Sequence, residues 1–448
     1  MGKNRLAAIV ALAVILTIGG ASLAGAQVLT LNECINIAME NYGSSQYGLP
    51  SALQSYHQSQ QAVWSAWGDL LPRISHGYNY NWSRNSDVTW LEEAKQFVPI
   101  DSAGIPKTTT RWSNSFSLQQ TLFDGGANLY RVAQSYHQRT ARREGLRSAE
   151  NNLVFGIKEG YFNLLKAIKL VEVQQAAVRR AEEFHKTIRS KYELGSASLS
   201  EVLKAEVQLG TAQLELLRRQ NEVATARARL NTILGRSVDD PLDIADVGTG
   251  NPAALSYDVA LQEAEASAPE VLSARAALRS AKDDIGIARA TLFPSFSWSV
   301  SRSYRPRERN ELIDFDGRFG TWSVGASLSF TIFGGFHRKT AISSARVGLK
   351  YTREYLKQAE NAVALAVKQA HLGVELAAES RRLAEQTEAS AQEDFNLAQE
   401  KYNLGAATIL DLLDAQESLT RAQNDKVNAL YDHFVTVAGL ERAIGRGR

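Results

Sequence analysis

Two periodicities run along the chain. Over 295–304, Phe296, Trp298, Val300, Arg302 and Tyr304 alternate with serines. Over 322–331, Trp322, Val324, Ala326, Leu328 and Phe330 alternate with Ser, Gly and Thr. Earlier, Ile74, Tyr78, Tyr80 and Trp82 alternate with Ser75, Gly77, Asn79 and Asn81, and Trp112, Phe116, Leu118 and Leu122 with Ser113, Ser115, Ser117, Gln119 and Thr121. A period of two predicts strands with one apolar and one small polar face. Each run is about 10 residues, the length of a transmembrane strand. The polar face is Ser, Asn and Gly rather than charged, as a water-filled lumen requires, and Trp82, Trp112, Tyr304 and Trp322 fall at strand ends like an aromatic girdle. The alternation therefore predicts a lipid-facing set: Tyr78, Tyr80, Phe116, Leu118, Phe296, Trp298, Val300, Trp322, Val324, Leu328 and Phe330. A half-buried soluble sheet is the alternative.

The second periodicity is helical. Leu356, Ala359, Val363, Val367, Ala370, Val374 and Ala377, then Ala384, Ala391, Phe395, Ala398 and Tyr402, step by threes and fours with one extra four. That is a coiled-coil seam with a stutter, weakened by Arg381 and Glu388 at seam positions. Leu146, Ala149, Leu153, Ile157, Gly160, Leu164, Ala167 and Val171 repeat the register. Residues 107–240 and 307–448 contain no proline. They predict helices over 127–192, 197–234, 337–402 and 408–444, the long ones roughly 100 Å at ~1.5 Å per residue. Shorter helices fall at 51–70 and 270–291.

The two halves are copies. At an offset of 210, Phe123 falls on Phe333, Glu150-Asn151 on Glu360-Asn361, Lys191-Tyr192 on Lys401-Tyr402 and Leu194-Gly195 on Leu404-Gly405; upstream, Leu71-Pro72 matches Phe293-Pro294 at 222. The first repeat is 27–240, with strands at about 73–82 and 113–122 and a helical hairpin 127–234. The second is 241–448, with strands at about 295–304 and 322–331 and a hairpin 337–444. Four strands cannot close a membrane barrel, which starts at about eight, and an open sheet in lipid leaves unpaired amides costing several kcal/mol each. The barrel must be shared between chains, as eight strands from two or twelve from three. The fold class predicted is an α+β membrane protein, internally duplicated, with four transmembrane strands joined to long coiled-coil helices.

Composition narrows the function. The chain is 44% hydrophobic and 22% charged, which excludes disorder, and its one Cys excludes a disulfide framework. Residues 1–26 read as a secretory leader: Lys3 and Arg5, an apolar run from Leu6 to Ile18, and Ala24-Gly25-Ala26 before a cut at Gln27. An anchor helix is the alternative, but the apolar core is short. Without the leader, basic and acidic residues balance at 48 each, so nothing points to nucleic acid. Cys34, in Leu-Asn-Glu-Cys, lacks a lipidation context, and an unlipidated N-terminus is expected. No HExxH, Walker A or GxSxG sequence is present, so neither an enzyme nor a cofactor or metal site is expected.

Taken together, these features resemble the TolC-like family of outer-membrane efflux ducts across 27–448. The resemblance rests on the duplicated strand–strand–long-helix order and on Pro72 and Pro294 at the helix-to-strand junctions. It rests too on Phe-Asp-Gly-Gly at 123–126, Phe-Gly-Gly at 333–335, the Lys-Tyr-x-Leu-Gly hairpins, and Ile409-Leu410-Asp411-Leu412-Leu413-Asp414-Ala415. It implies a homotrimer with a 12-stranded barrel in the outer membrane and a helical tunnel in the periplasm. Such a duct is passive, served by a periplasmic adaptor and an inner-membrane pump of RND, ABC or MFS type, for efflux or type I secretion. It implies that Asp411, Asp414 and Glu201, with Tyr402 and Tyr192, line the periplasmic aperture; a solvated face or ordinary coiled-coil packing is the alternative. It also implies that the tips Leu194-Gly195-Ser196 and Leu404-Gly405-Ala406 meet the adaptor. Ala407 stands where the best-known duct has an arginine. Arg302, Arg305, Arg307 and Arg309 form a basic run at an expected external loop. A stand-alone diffusion porin would not use such long helices, and a periplasmic scaffold would not use lipid-length strands.

Overall fold

The computed structural model describes residues 28–41, 49–248, 255–304 and 320–447. The leader and Arg305, Arg307 and Arg309 lie outside the described residues. Eight helices and eight strands are described: β1 (Val28–Leu29), α1 (Leu31–Glu40), α2 (Leu49–Gly68), β2 (Arg73–Arg84), β3 (Val88–Leu91), β4 (Gln96–Pro99), β5 (Thr108–Phe123), α3 (Ala127–Glu193), α4 (Leu199–Ile233), β6 (Asp243–Ile244), α5 (Tyr257–Ser267), α6 (Pro269–Ala290), β7 (Ser295–Tyr304), β8 (Gly320–Ser329), α7 (His337–Asn403) and α8 (Ile409–Ile444). Both α3 and α7 are 67 residues long. No described helix is long and apolar enough to cross a membrane.

The chain forms two compact units, and each draws on both sequence repeats. One gathers residues 1–52, 146–269 and 362–448, the other 53–145 and 270–361.

The first unit is helical. Cys34, Ala38, Leu153, Ile157, Tyr161, Leu164, Leu230 and Leu234 form its core with Tyr431. Each large aliphatic buried there contributes roughly 1.5–3 kcal/mol. The Tyr161 hydroxyl lies 2.6 Å from the Ala245 carbonyl and 3.2 Å from that of Leu29, holding the parallel β1–β6 pair against α3. In α7, Val363, Val367 and Val374 are buried, as their seam positions require. The seam charges are answered locally: Arg381 donates to Glu385 at 3.0 Å, and Lys426 to Glu388 at 3.2 Å.

The second unit holds the sheet. Its order is β2-β5-β7-β8, antiparallel throughout, so β2 and β8 are the edges; β3 and β4 form a separate hairpin between β2 and β5. Phe-Asp-Gly-Gly turns the chain from β5 into α3. The Asp124 carboxylate accepts from the amides of Gly126 and Asn128 at 3.1 and 2.9 Å, capping the helix. Gly125 has φ +71°, and a Cβ there would collide with the Ala290 carbonyl, so only glycine fits.

Candidate functional site

The strand register sorts the sheet into two faces. In an antiparallel ladder, residues directly opposite share a face. Val300 is opposite both Leu118 and Val324, Phe296 opposite Leu328, and Trp298 opposite Ala326 and Gln120. Tyr80 is opposite Trp112, and Ile74 opposite Leu118. Tyr78, Tyr80, Phe116, Leu118, Phe296, Trp298, Val300, Trp322, Val324 and Leu328 therefore share one face. Several are open to the surroundings, Val324 at 75% exposure. The opposite face is a field of hydroxyls, with Ser75 and Ser117 bonded at 2.7 Å and Ser301 and Ser323 at 2.7 Å.

Two details differ from the alternation. Strand β8 spans Gly320–Ser329, so Phe330 lies just past its end. Leu122 sits in a register shift between Thr121 and Phe123, so Phe123 rather than Leu122 stands opposite Phe296. The apolar face also carries polar side chains that have partners within the sheet unit. The His76 ring nitrogen is 2.7 Å from the Asn114 amide oxygen, Gln120 donates to the Leu70 carbonyl at 3.1 Å, and Arg302 sits over the Trp322 ring at 5.4 Å. Arg302 is thus a strand residue, not part of a loop.

In the helical unit the two hairpin turns have the same construction. Gly195 has φ +76° and Gly405 φ +75°. The Gly195 amide donates to Tyr192 at 2.9 Å and Ser196 to Lys191 at 2.8 Å; Gly405 donates to Tyr402 at 3.1 Å and Ala406 to Lys401 at 2.8 Å. These are Schellman closures, which need a left-handed residue after the helix. Capping boxes then start the return helices, with Ser198 and Glu201 bonded reciprocally in one and Thr408 and Asp411 in the other. The Ser-x-x-Glu and Thr-x-x-Asp spacings are legible in the sequence, and their acids are two of those expected at the aperture. Leu194 and Leu404 stand 83% and 84% exposed at the tips.

The expected aperture residues thus separate. The Asp411 carboxylate accepts from the Thr408 amide and hydroxyl, both at 2.8 Å, which hold it below the ordinary carboxylate range. Asp414 is exposed one turn on, beside Asp411 on the same helix face. Glu201 is occupied by Ser198 at 2.7 Å. Tyr402 packs in, its ring 6.0 Å from Phe184 and under the Lys191 ammonium at 4.8 Å. Burial and then the Glu201 charge push its phenol upward. Tyr192, its counterpart, is exposed. Lys191 stands out in the sequence only as part of the repeated Lys-Tyr-x-Leu-Gly, and Phe184 carries no sequence signal.

One comparison decides what these surfaces belong to. The family described as Outer membrane efflux protein matches residues 48–236 and 260–446. The chain belongs to the outer membrane efflux protein family. Membership gives its class, an efflux protein of the outer membrane, and the two matched segments fall one in each half. Among its relatives is outer membrane protein TolC of Salmonella enteritidis, 23% identical over 440 residues covering 95% of this chain and 84% of the relative. Another is the alkaline protease secretion protein AprF of Pseudomonas aeruginosa, 26% identical over 425 residues covering 92% and 83%. The fold is that of the Campylobacter jejuni CmeC outer membrane channel, with a TM-score of 0.77 at 15% identity over 93% of this chain and 86% of that one.

Proposed function

We propose that the protein is the passive outer-membrane exit duct of a tripartite efflux or type I secretion system, in which three chains close one 12-stranded barrel. The observation that carries this is uncovered surface inside the duplication. Within the chain α3 packs on α8: Phe162 stacks on Phe434 at 5.1 Å, and the Arg442 guanidinium lies 4.8 Å from the Phe155 ring centre. At the offset of 210, Phe155 and Phe162 correspond to Leu365 and Leu372 of α7, which are exposed, as are Leu376 and Leu383. On α4, Leu199, Leu203, Val207, Leu214 and Leu217 are exposed as well. A second copy laying its α4 on this α7 would repeat in trans the packing that α3 and α8 make in cis. The sheet has the same need, since its edges β2 and β8 carry unpaired backbone groups that lipid cannot satisfy. Three copies give 12 strands, the number the family resemblance implies.

In this reading the apolar sheet face meets lipid and the serine face lines the lumen. Leu194-Gly195-Ser196 and Leu404-Gly405-Ala406 dock a periplasmic adaptor, which links the duct to an inner-membrane pump of RND, ABC or MFS type. Asp414, with Asp411 and Glu201, faces the aperture between them, and Tyr402 and Tyr192 flank it. Export uses the leader 1–26, and the N-terminus carries no lipid; Cys34 is wholly buried in the helical core, which supports this. The test is adaptor capture by the full chain extracted from outer membranes, with and without Leu194→Asp and Leu404→Asp. Loss of capture with assembly intact is expected. Unchanged capture would remove the tips from the mechanism, and an outer-membrane pore that binds no adaptor would make the protein a diffusion porin.

A further inference from the structure

Beyond β8 the chain runs through Ile332 and Phe333 into α7 and frames an open cavity of about 560 Å³. One wall is apolar, formed by Leu292, Phe333 and Ile342; the other carries Arg338, Lys339 and Arg346. Arg338, Ile342 and Arg346, at i, i+4 and i+8, follow one face of α7, and Lys339 borders it, so all four line the same opening. Arg346 starts about 12 Å further along the axis, but side chains on a helix lean toward its N-terminus, and the long arginine reaches back toward the others.

The cations here are unlike those elsewhere on the helices. Arg381, Arg382 and Arg421 each pair with a glutamate three or four residues away. Among the described residues, Arg338, Lys339 and Arg346 have no carboxylate within ion-pair distance, and residues 320–353 contain no Asp or Glu at all, although the whole chain is nearly balanced at 50 basic to 48 acidic. The face of the Arg338 guanidinium is taken by the Phe330 ring at 5.3 Å, which leaves its in-plane N–H groups to donate outward. Phe330 and Ile332, 52% and 89% exposed, continue the apolar surface of β8 up to the rim of the cavity.

We propose that this cavity binds the headgroup of an anionic glycerophospholipid of the periplasmic leaflet, of the phosphatidylglycerol class. The phosphate lies among Arg338, Lys339 and Arg346, and the acyl chains lie along Ile332 and Phe330. An amphipathic ligand fits because an apolar and a cationic wall face one opening. A net negative headgroup fits better than a zwitterionic one, because the cavity offers no carboxylate to a choline or ethanolamine cation. This inference rests on the outer-membrane reading above and adds a lipid-selective site to it.

The experiment is native mass spectrometry of the full chain extracted from outer membranes, with phosphatidylglycerol or phosphatidylcholine added to the detergent. The wild type is compared with Arg338→Gln/Lys339→Gln/Arg346→Gln and with a control, Arg421→Gln/Lys426→Gln. The expected result is retention of phosphatidylglycerol at least about tenfold above phosphatidylcholine in the wild type and control, falling roughly fivefold per cation removed in the triple variant. The particle mass in the same spectra reports assembly. Equal retention of the two lipids by the wild type, or undiminished phosphatidylglycerol on an assembled triple variant, overturns the site while leaving the channel reading standing. A Ser343→Cys thiol that reagents cannot reach in the delipidated particle would mean that a second copy fills the cavity, and overturns it too. A wild-type chain absent from the outer-membrane fraction would overturn the channel reading first.

Discussion

Placing an arginine at Val324 tests the assignment of the sheet faces. Val324 is the fifth of ten residues in β8, directly opposite Val300, which is itself opposite Leu118. At about 3.3 Å per residue and a tilt near 45°, a ten-residue strand covers roughly the 25 Å apolar band of an outer-membrane barrel, which in the proposed barrel puts Val324 near its middle. Its 75% exposure in the single chain leaves room for an arginine, so the penalty is mainly that of solvation. An arginine at the lipid midplane costs about 2–4 kcal/mol, or about 6–12 kcal/mol across three subunits. Leu328→Arg, near the end of the strand, should cost about 0–1 kcal/mol per chain, because the penalty falls toward the interface. Ser327→Arg points the other way, among hydroxyls, and should be tolerated. Folding into lipid vesicles under a urea titration gives the cost per chain, and a heat-modifiable oligomer band on gels reports assembly in cells. The expected order of damage is Val324, then Leu328, then Ser327. Equal damage from Val324→Arg and Ser327→Arg, or the reverse order, would refute the facing.

Gly195→Val or Gly405→Val forces a β-branched residue into φ near +75°, costing about 1–3 kcal/mol locally; efflux complementation should fall while the oligomer persists, and full transport by both variants would clear the tips. Asp414→Asn should lower the cation preference of the closed pore and its block by millimolar-range multivalent cations, read in planar bilayers, whereas Asp411→Asn should in addition loosen the first turn of α8, because that carboxylate also accepts the Thr408 cap bonds. The Asp411 carboxyl titrates below its ordinary 3.8, so its capping contribution is fully present above about pH 4 and is lost as pH falls through the lowered value; amide exchange in the first turn of α8 should rise on acidification, Thr408→Ala should weaken that pH dependence because the backbone amide of residue 408 still donates to the carboxylate, and Asp411→Asn should abolish it. Gly125→Ala should cost several kcal/mol through its collision with the Ala290 carbonyl, whereas Gly68→Ala meets open space and should be nearly neutral, as thermal unfolding would register.

Much of this architecture was readable from periodicity. Burial of one helix stripe and the pleat of a strand impose periods that Val363, Val367 and Val374, or Phe296, Trp298 and Val300, cannot hide. The strand ends were less legible. Strand β5 runs from Thr108, five residues before the expected start at 113, because Thr108–Thr110 pair with Trp82–Arg84 of β2, and pairing is a long-range fact. The end of β8 at Ser329, one residue before Phe330, and the register shift at Leu122 are hidden for a related reason: alternation continues through a strand end and a register shift alike. The β3–β4 hairpin was missed because four-residue strands carry too few alternations to register. At the turns, the Ser-x-x-Glu and Thr-x-x-Asp spacings carry a capping-box signal, and Glu201 and Asp411 are bonded to Ser198 and Thr408 accordingly. The packing of Tyr402 against Phe184 and Lys191 joins residues more than two hundred positions apart, which one sequence cannot disclose. The cationic cavity after β8 escaped notice because its residues are unremarkable singly; what distinguishes them is the absence of acids around them.

On the proposed function, one chain is an incomplete channel that three copies complete. The most direct measurement is the mass of the particle extracted from the outer membrane, taken by native mass spectrometry on the full chain with edge cysteines introduced in β2 and β8 to lock neighbours on oxidation. Three chains per particle and a covalent ladder that ends at three are expected. A stable single chain in lipid, or a ladder that ends at two, would contradict the proposed function.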